Sequence, residues 1–283
     1  MNSLILTAVV FTLAFQNIVA KQYTNKTKEN AQYIFSTLLG LTAMLFYLCM
    51  GRGKYNFSSE LLPYSLGFGI SYGMATVGTV LAVTVGSVSL TSLVVSYSLI
   101  VPTLYGIIFL GDETSIMLYL GLVALMISLF LINYKKEKNE INYKWIIFVF
   151  IAFVGNAGCT ISQKLHQIIL GTGYKTEFMI LSMFFVVIIS LTFVLIKERK
   201  TMVFATKQGG IYAFLYGVLN ACTNLFVMIL NDRINASIMF PIISAGGIIA
   251  SYFLAVFFYK EKLSMIQHFG LVLGVLSVVL LNI

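Results

Sequence analysis

Ten runs of about 20 apolar residues, joined by connections too short to hold a domain, divide this 283-residue chain from end to end. They lie at roughly 3–20, 30–50, 62–84, 88–110, 115–133, 144–163, 175–196, 208–230, 236–258 and 265–282. Each is long enough to cross a hydrocarbon core of about 30 Å. In that solvent a segment must satisfy its own backbone polar groups, so helices are what such runs can form. With 59% hydrophobic residues, 10% charged residues and a mean hydropathy of +0.94, the chain lies outside the range of soluble domains. The expected fold is an all-α membrane protein with ten transmembrane helices.

The chain also repeats itself. Residues 72–113 lie without a gap on residues 220–261, which pairs Ser89 with Ser237, Ser96 with Ser244, Ile100 with Ile248, Phe109 with Phe257 and Glu113 with Glu261. Identity is low, and the shared register carries the comparison. Five helices per half is an odd number, which turns the halves upside down to each other as two inverted repeats. The halves are residues 1–135 and 144–283, and the charged run Lys135-Lys136-Glu137-Lys138-Asn139-Glu140 marks the connection at 136–143.

Ile18-Val19-Ala20 resembles a cleavage site, but the first run lacks a basic leader and its partner in the repeat is internal, so it is read as a helix that is kept. Cys49, Cys159 and Cys222 sit in apolar runs and form no C-x-x-C pair, which argues against a disulfide framework or a metal site. The triplets headed by Asn25, Asn56 and Asn235 fit glycosylation at some of these positions at most, because the first two flank one span.

A net charge of +8 could suggest a nucleic-acid partner, but the basic residues lie in short loops beside the spans. The loops after helices 1, 5, 7 and 9 hold Lys21, Lys26, Lys28, Lys135, Lys136, Lys138, Lys144, Lys197, Arg199, Lys200, Lys207, Lys260 and Lys262. Those after helices 2, 4, 6 and 8 hold only Arg52, Lys54, Lys164, Lys175 and Arg233. By the positive-inside rule the first set is cytoplasmic and both termini are outside.

Polar residues inside spans bear on function, since each is costly unless it faces other helices or water. Helix 1 closes on Gln16, Asn17 and Lys21, and helix 6 on Gln163 and Lys164, with Asn156 about two turns earlier. Asn220 and Asn224 stand at i, i+4 on one face of helix 8 and fall on Tyr72 and Thr76 of helix 3. Taken one at a time, these groups read equally well as interhelical hydrogen bonds. Their concentration in helices 1, 3, 6 and 8 favours a shared cavity. The candidate substrate-binding set is Gln16, Asn17, Tyr72, Thr76, Tyr97, Asn156, Gln163, Asn220, Asn224 and Ser244. Lys21 and Lys164 are read as snorkelling to the interface.

Gly69-x-x-x-Gly73 and Gly270-x-x-x-Gly274 permit close helix packing. Pro102 and Pro241 lie inside helices 4 and 9, where each removes a backbone donor and is a candidate hinge; ordinary kinked packing is the alternative. All ten acidic residues sit in loops or at helix ends, so the spans offer no carboxylate for a proton and a cation to share. A cationic solute would need aromatic faces, for which Phe68, Tyr72, Tyr97, Tyr105 and Tyr216 are candidates beside their commoner role in packing. His166 and His268 belong to no metalloprotease motif, and neither a nucleophile elbow nor a P-loop is present, so no enzyme and no cofactor is expected.

Helix 4 ends Phe109-Leu110-Gly111-Asp112-Glu113, helix 9 ends Phe258-Tyr259-Lys260-Glu261-Lys262-Leu263-Ser264, and Gly121 or Gly270 follows early in the next helix. With ten spans in two halves, this resembles the EamA-type members of the drug/metabolite transporter superfamily over essentially the whole chain. The resemblance implies a ten-helix carrier with a central cavity lined by helices 1, 3, 4, 6, 8 and 9, moving a small metabolite by alternating access. The chain departs from the family at its prolines: many members place one about thirteen residues before the helix-end Glu, whereas Pro102 stands eleven before Glu113 and Pro241 twenty before Glu261. Many members are also drawn with both termini in the cytoplasm, against the charge count.

Glu113 and Glu261 are read as structural, capping helix 5 or 10 or pairing with a lysine, with coupling as the alternative. The reading is a secondary transporter of a small polar or amphipathic metabolite. It would act as a multi-pass monomer or homodimer in the lipid bilayer of the cell membrane, without nucleic acid. A channel-like pore and a non-transporting membrane scaffold are the alternatives.

Overall fold

The computed structural model describes residues 2–27, 31–85, 91, 94–95, 97–132, 143–259 and 264–281. Its ten described α helices are α1 (Asn2–Thr27), α2 (Gln32–Met50), α3 (Leu62–Val85), α4 (Ile100–Phe109), α5 (Ile116–Ile132), α6 (Tyr143–Leu170), α7 (Lys175–Phe193), α8 (Met202–Asn231), α9 (Ala236–Tyr259) and α10 (Met265–Leu280). Residues 136–142 of the expected connection and Glu261 lie outside the described residues. Six helices, α1 to α3 and α6 to α8, are long and apolar enough to cross a membrane, and the other four give shorter apolar stretches among the described side chains. Large apolar side chains such as Phe109, Ile116, Phe150, Ile188 and Phe269 are exposed on the outside of the bundle. A soluble protein would hide so much apolar surface; in a multi-pass membrane protein it faces lipid.

Helix limits differ from the apolar runs in a way that matters for the site. α1 continues to Thr27 and α6 to Leu170, so Gln16, Asn17, Gln163 and Lys164 stand inside their helices rather than closing them. Gln and Lys are good helix formers, and nothing in either stretch breaks the hydrogen-bond ladder, so the helix outlasts the apolar run.

The most extensive packing joins the two halves. α1 packs on α8 and α3 on α6, α2 on both α7 and α8, α3 on α7, and α5 on α10. These pairs map onto one another when the first five helices are exchanged for the last five. Close approach at α3–α6 depends on glycines from both sides. A Cβ on Gly155 would lie 2.4 Å from the Ala75 nitrogen and one on Gly78 2.6 Å from the Ala152 nitrogen. The Gly69 and Gly73 positions face Phe185 and Ile189 of α7, and Gly274 faces Ser128 of α5, whose hydroxyl donates to the Gly270 carbonyl at 2.7 Å. Both small-residue pairs thus serve packing within the chain. Beneath them lies a core of Tyr47, Phe68, Phe178, Met179, Met183 and Met228.

Several helix starts are capped from elsewhere in the chain. The buried Glu198 carboxylate accepts the Tyr33 and Ile34 amides at the head of α2, at 3.1 and 2.9 Å. α4 ends where Gly111, at φ +70°, lets the chain turn back so that the Asp112 amide reaches the Gly106 carbonyl. Asp112 then accepts the Ser237 amide of α9 at 2.8 Å. α5 is capped by Ser115, which accepts from Leu118, and α10 by a capping box of Ser264 and Gln267. The capping expected of the helix-end glutamates is supplied by serines: Ser115 rather than Glu113 caps α5, Ser264 caps α10, and Glu113 is exposed. Replacing Glu198 by Ala strands two buried N–H groups and should destabilise the protein by about 1–2 kcal/mol. A melting temperature in detergent equal to that of the unaltered chain would contradict this.

Candidate functional site

Three helices bring carboxamides together at the centre of the bundle. Gln163 of α6 donates through Nε2 to Asn224 Oδ1 at 2.6 Å. Asn224 Nδ2 donates to Asn220 Oδ1 at 3.0 Å and to the Asn220 carbonyl at 2.9 Å. Asn220 Nδ2 reaches Gln16 Oε1 of α1 at 3.4 Å, and Gln16 Nε2 donates to Thr223 Oγ1 at 2.7 Å. The Thr223 hydroxyl lies 2.8 Å from both Thr12 Oγ1 and the Leu219 carbonyl. Gln16 and Gln163 are buried, so an unmatched amide at either would lack water to replace its partner. The first-half and second-half glutamines thus converge on α8, one from each side.

Two adjoining cavities flank this chain of amides. One, of about 240 Å³, is lined by Phe68, Tyr72, Asn156, Cys159, Thr160, Gln163, Asn220, Thr223 and Asn224. The other, of about 260 Å³, is lined by Gln16, Asn17, Asn156, Tyr216, Ser244 and Gly247. Leu13, Leu99, Asn156 and Ile243 border both. Among the described residues, neither is lined by a charged one.

Helix 4 meets this junction at an interruption. A turn at Ser98–Leu99 precedes α4, with Ser98 bonding back to Val95 and Val101 back to Ser98, each at 3.1 Å. Pro102 explains it, since Pro has no N–H for the Ser98 carbonyl four residues earlier, and that carbonyl instead accepts from Val101. Pro102 itself sits in the first turn of α4, where a missing donor costs little. Asn156 Nδ2 ties the turn to α6 by donating to Ser98 Oγ at 3.1 Å. Pro241 lies within α9, which continues through it to Gly246 and Gly247; a Cβ on Gly246 would meet Val10 of α1 at 2.6 Å.

Of the residues expected from sequence, Gln16, Asn17, Tyr72, Asn156, Gln163, Asn220, Asn224 and Ser244 line one or both cavities. Thr76 bonds back to the Tyr72 carbonyl at 2.9 Å within its own helix. Tyr97 donates to the Met126 carbonyl of α5 at 2.6 Å and packs beside Leu125 and Leu129. The Lys164 ammonium donates to the Asn231 carbonyl at 2.7 Å, where a cation suits the end of α8. Thr12 and Thr223 join the amides without having stood out in the sequence, because hydroxyls in helices usually bond their own backbone. The i, i+4 relation of Thr12 to Gln16 and the place of Thr223 between Asn220 and Asn224 were the available signals.

The model of the EamA-like transporter family matches residues 143–283. No curated protein matches the chain significantly. A solved crystal structure, 11% identical in sequence, shares the fold with a TM-score of 0.74 over 99% of this chain and 95% of that one.

Proposed function

Since residues 143–283 belong to the EamA-like transporter family, we propose that the whole chain is a multi-pass secondary carrier of the cell membrane. It moves a small polar or amphipathic metabolite by alternating access. Ten spans in two inverted five-helix repeats, 1–135 and 144–283 joined through 136–143, form its scaffold. The gapless register of the halves and the exchange symmetry of their packing support that architecture. The observation that carries the function is the amide chain from Gln163 to Thr12 beside two cavities, inside a bundle whose outer face is apolar. Gln16, Asn17, Asn156, Gln163, Asn220, Asn224 and Ser244 supply hydrogen bonds to the substrate, and Tyr72, backed by Thr76, supplies a ring face. Tyr97 braces helix 4 on α5, and Pro102 and Pro241 are the points at which helices 4 and 9 bend as the cavity changes sides.

Purified protein in proteoliposomes should show saturable uptake and counterflow of a solute found by thermal-shift screening. Currents that do not saturate would instead indicate a channel, and absence of any flux a scaffold. Glu113→Gln and Glu261→Gln should leave flux within about twofold of the original, because Asp112 rather than Glu113 holds the start of α9. Lost flux at unchanged expression and stability would reassign these carboxylates to coupling.

A further inference from the structure

Resting on the carrier reading, we propose that the site selects solutes that are uncharged at neutral pH and present a planar carboxamide or lactam edge. Among the described residues the cavities are lined by carboxamides, hydroxyls, aromatic rings and aliphatic side chains, without a carboxylate or an ammonium group. Lys164, next in sequence to Gln163, spends its ammonium on the Asn231 carbonyl at the end of α8. An ion or zwitterion entering here would shed its hydration and meet no counter-charge. A cation could gain only ring faces and neutral amide oxygens, a weaker compensation than the water it gives up.

The unused hydrogen-bonding capacity defines the edge. Gln163 commits its side-chain nitrogen Nε2 to Asn224 Oδ1 and Met179 Sδ, and its side-chain oxygen Oε1 accepts from no described residue. Asn156 donates through Nδ2 to Ser98, and its side-chain oxygen Oδ1 likewise accepts from no described residue. Asn220 uses one N–H on Gln16 at 3.4 Å and keeps the other. Two open acceptors and a donor around one cavity match a group that holds N–H and C=O side by side in a plane. The Tyr72 ring, stacked on the buried Phe68 at 6.2 Å and 22° from parallel, borders the same cavity and would lie beside a ring that bears such a group.

Three probes of nearly the same shape separate the two features: nicotinamide is neutral and carries the carboxamide, 1-methylnicotinamide keeps the carboxamide but is a cation, and nicotinate replaces the carboxamide by a carboxylate. Calorimetry and thermal shift on the purified full-length chain at neutral pH should show nicotinamide binding at least tenfold more tightly than either ion. Gln163→Glu, which places a carboxylate in the amide chain, should weaken nicotinamide by at least tenfold. Should that variant not fold, the three probes on the unaltered protein still decide. Equal or tighter binding of nicotinate or 1-methylnicotinamide overturns the proposal, and so does failure of nicotinamide to bind at millimolar concentration. Nicotinamide binding without counterflow would remove the carrier reading and support the selectivity. Counterflow of an ion in place of nicotinamide would do the reverse.

Discussion

Asn224→Ala is expected to reduce saturable flux at least tenfold, about 1.4 kcal/mol of lost interaction. Asn224 is the middle of the amide chain, accepting from Gln163 at 2.6 Å and donating to Asn220 at 3.0 Å. Its removal strands the buried Gln163 N–H, so a stability loss of about 1–2 kcal/mol should accompany the functional loss. Asn220→Ala removes the longer 3.4 Å contact to Gln16 and the 3.0 Å acceptor of Asn224 Nδ2, which keeps the Asn220 backbone carbonyl at 2.9 Å, so there the melting temperature should fall less than for Asn224→Ala while flux falls by a similar factor. Flux normalised to folded protein separates the two effects. Normal flux per folded molecule in both variants would mean that the amides only pack α8 against its neighbours.

Gly155→Val should have the largest effect on folding. The new Cβ would sit 2.4 Å from the Ala75 nitrogen and 2.6 Å from the Ser71 carbonyl oxygen, both backbone atoms that no rotamer change can move. α3 and α6 must then separate along the most extensive helix contact in the molecule, at a cost of at least about 3 kcal/mol. Gly210→Ala is the control, because the nearest atom to its Cβ would be Thr206 Cγ2 at 4.0 Å. In mid-helix that change should stabilise by about 0.5–1 kcal/mol. Recovery of monodisperse Gly155→Val protein at the original level, with an unshifted melting temperature, would show that the crossing yields more easily than its geometry implies.

The i, i+4 spacing of Asn220 and Asn224 was legible in the sequence because amides in an apolar helix stand out from their surroundings. The direction faced by Tyr97 was not. Helix 4 scatters Ser89, Thr91, Ser92, Ser96, Ser98 and Thr103 among its apolar residues rather than gathering them on one face, so no periodicity fixes its rotation, and the Tyr97 hydroxyl reaches the Met126 carbonyl of α5. Helix caps from distant residues were equally hidden: Glu198 is 165 positions from Tyr33, and nothing local marks it as a partner of that amide. Asp112 and Glu113 are neighbours of like chemistry, and only the turn at Gly111 selects which of them meets α9. The α3–α6 crossing escaped a search for spaced small residues because Gly78 and Gly155 sit on different helices and interlock in space.

The amides from Gln163 through Asn224 and Asn220 to Gln16 all point the same way, each giving a hydrogen to the next oxygen. Turning one of them over by half a rotation would set nitrogen against nitrogen on one side and oxygen against oxygen on the other. Reversal would have to turn every member together, and even then it would set Asn224 Oδ1 against the Asn220 backbone carbonyl, which can only accept. The row therefore has a polarity that the backbone of α8 holds in one sense. A solute that offers a donor to Gln163 Oε1 meets an acceptor already set at one end of a row whose other end, Gln16, stands more than 140 residues away in sequence.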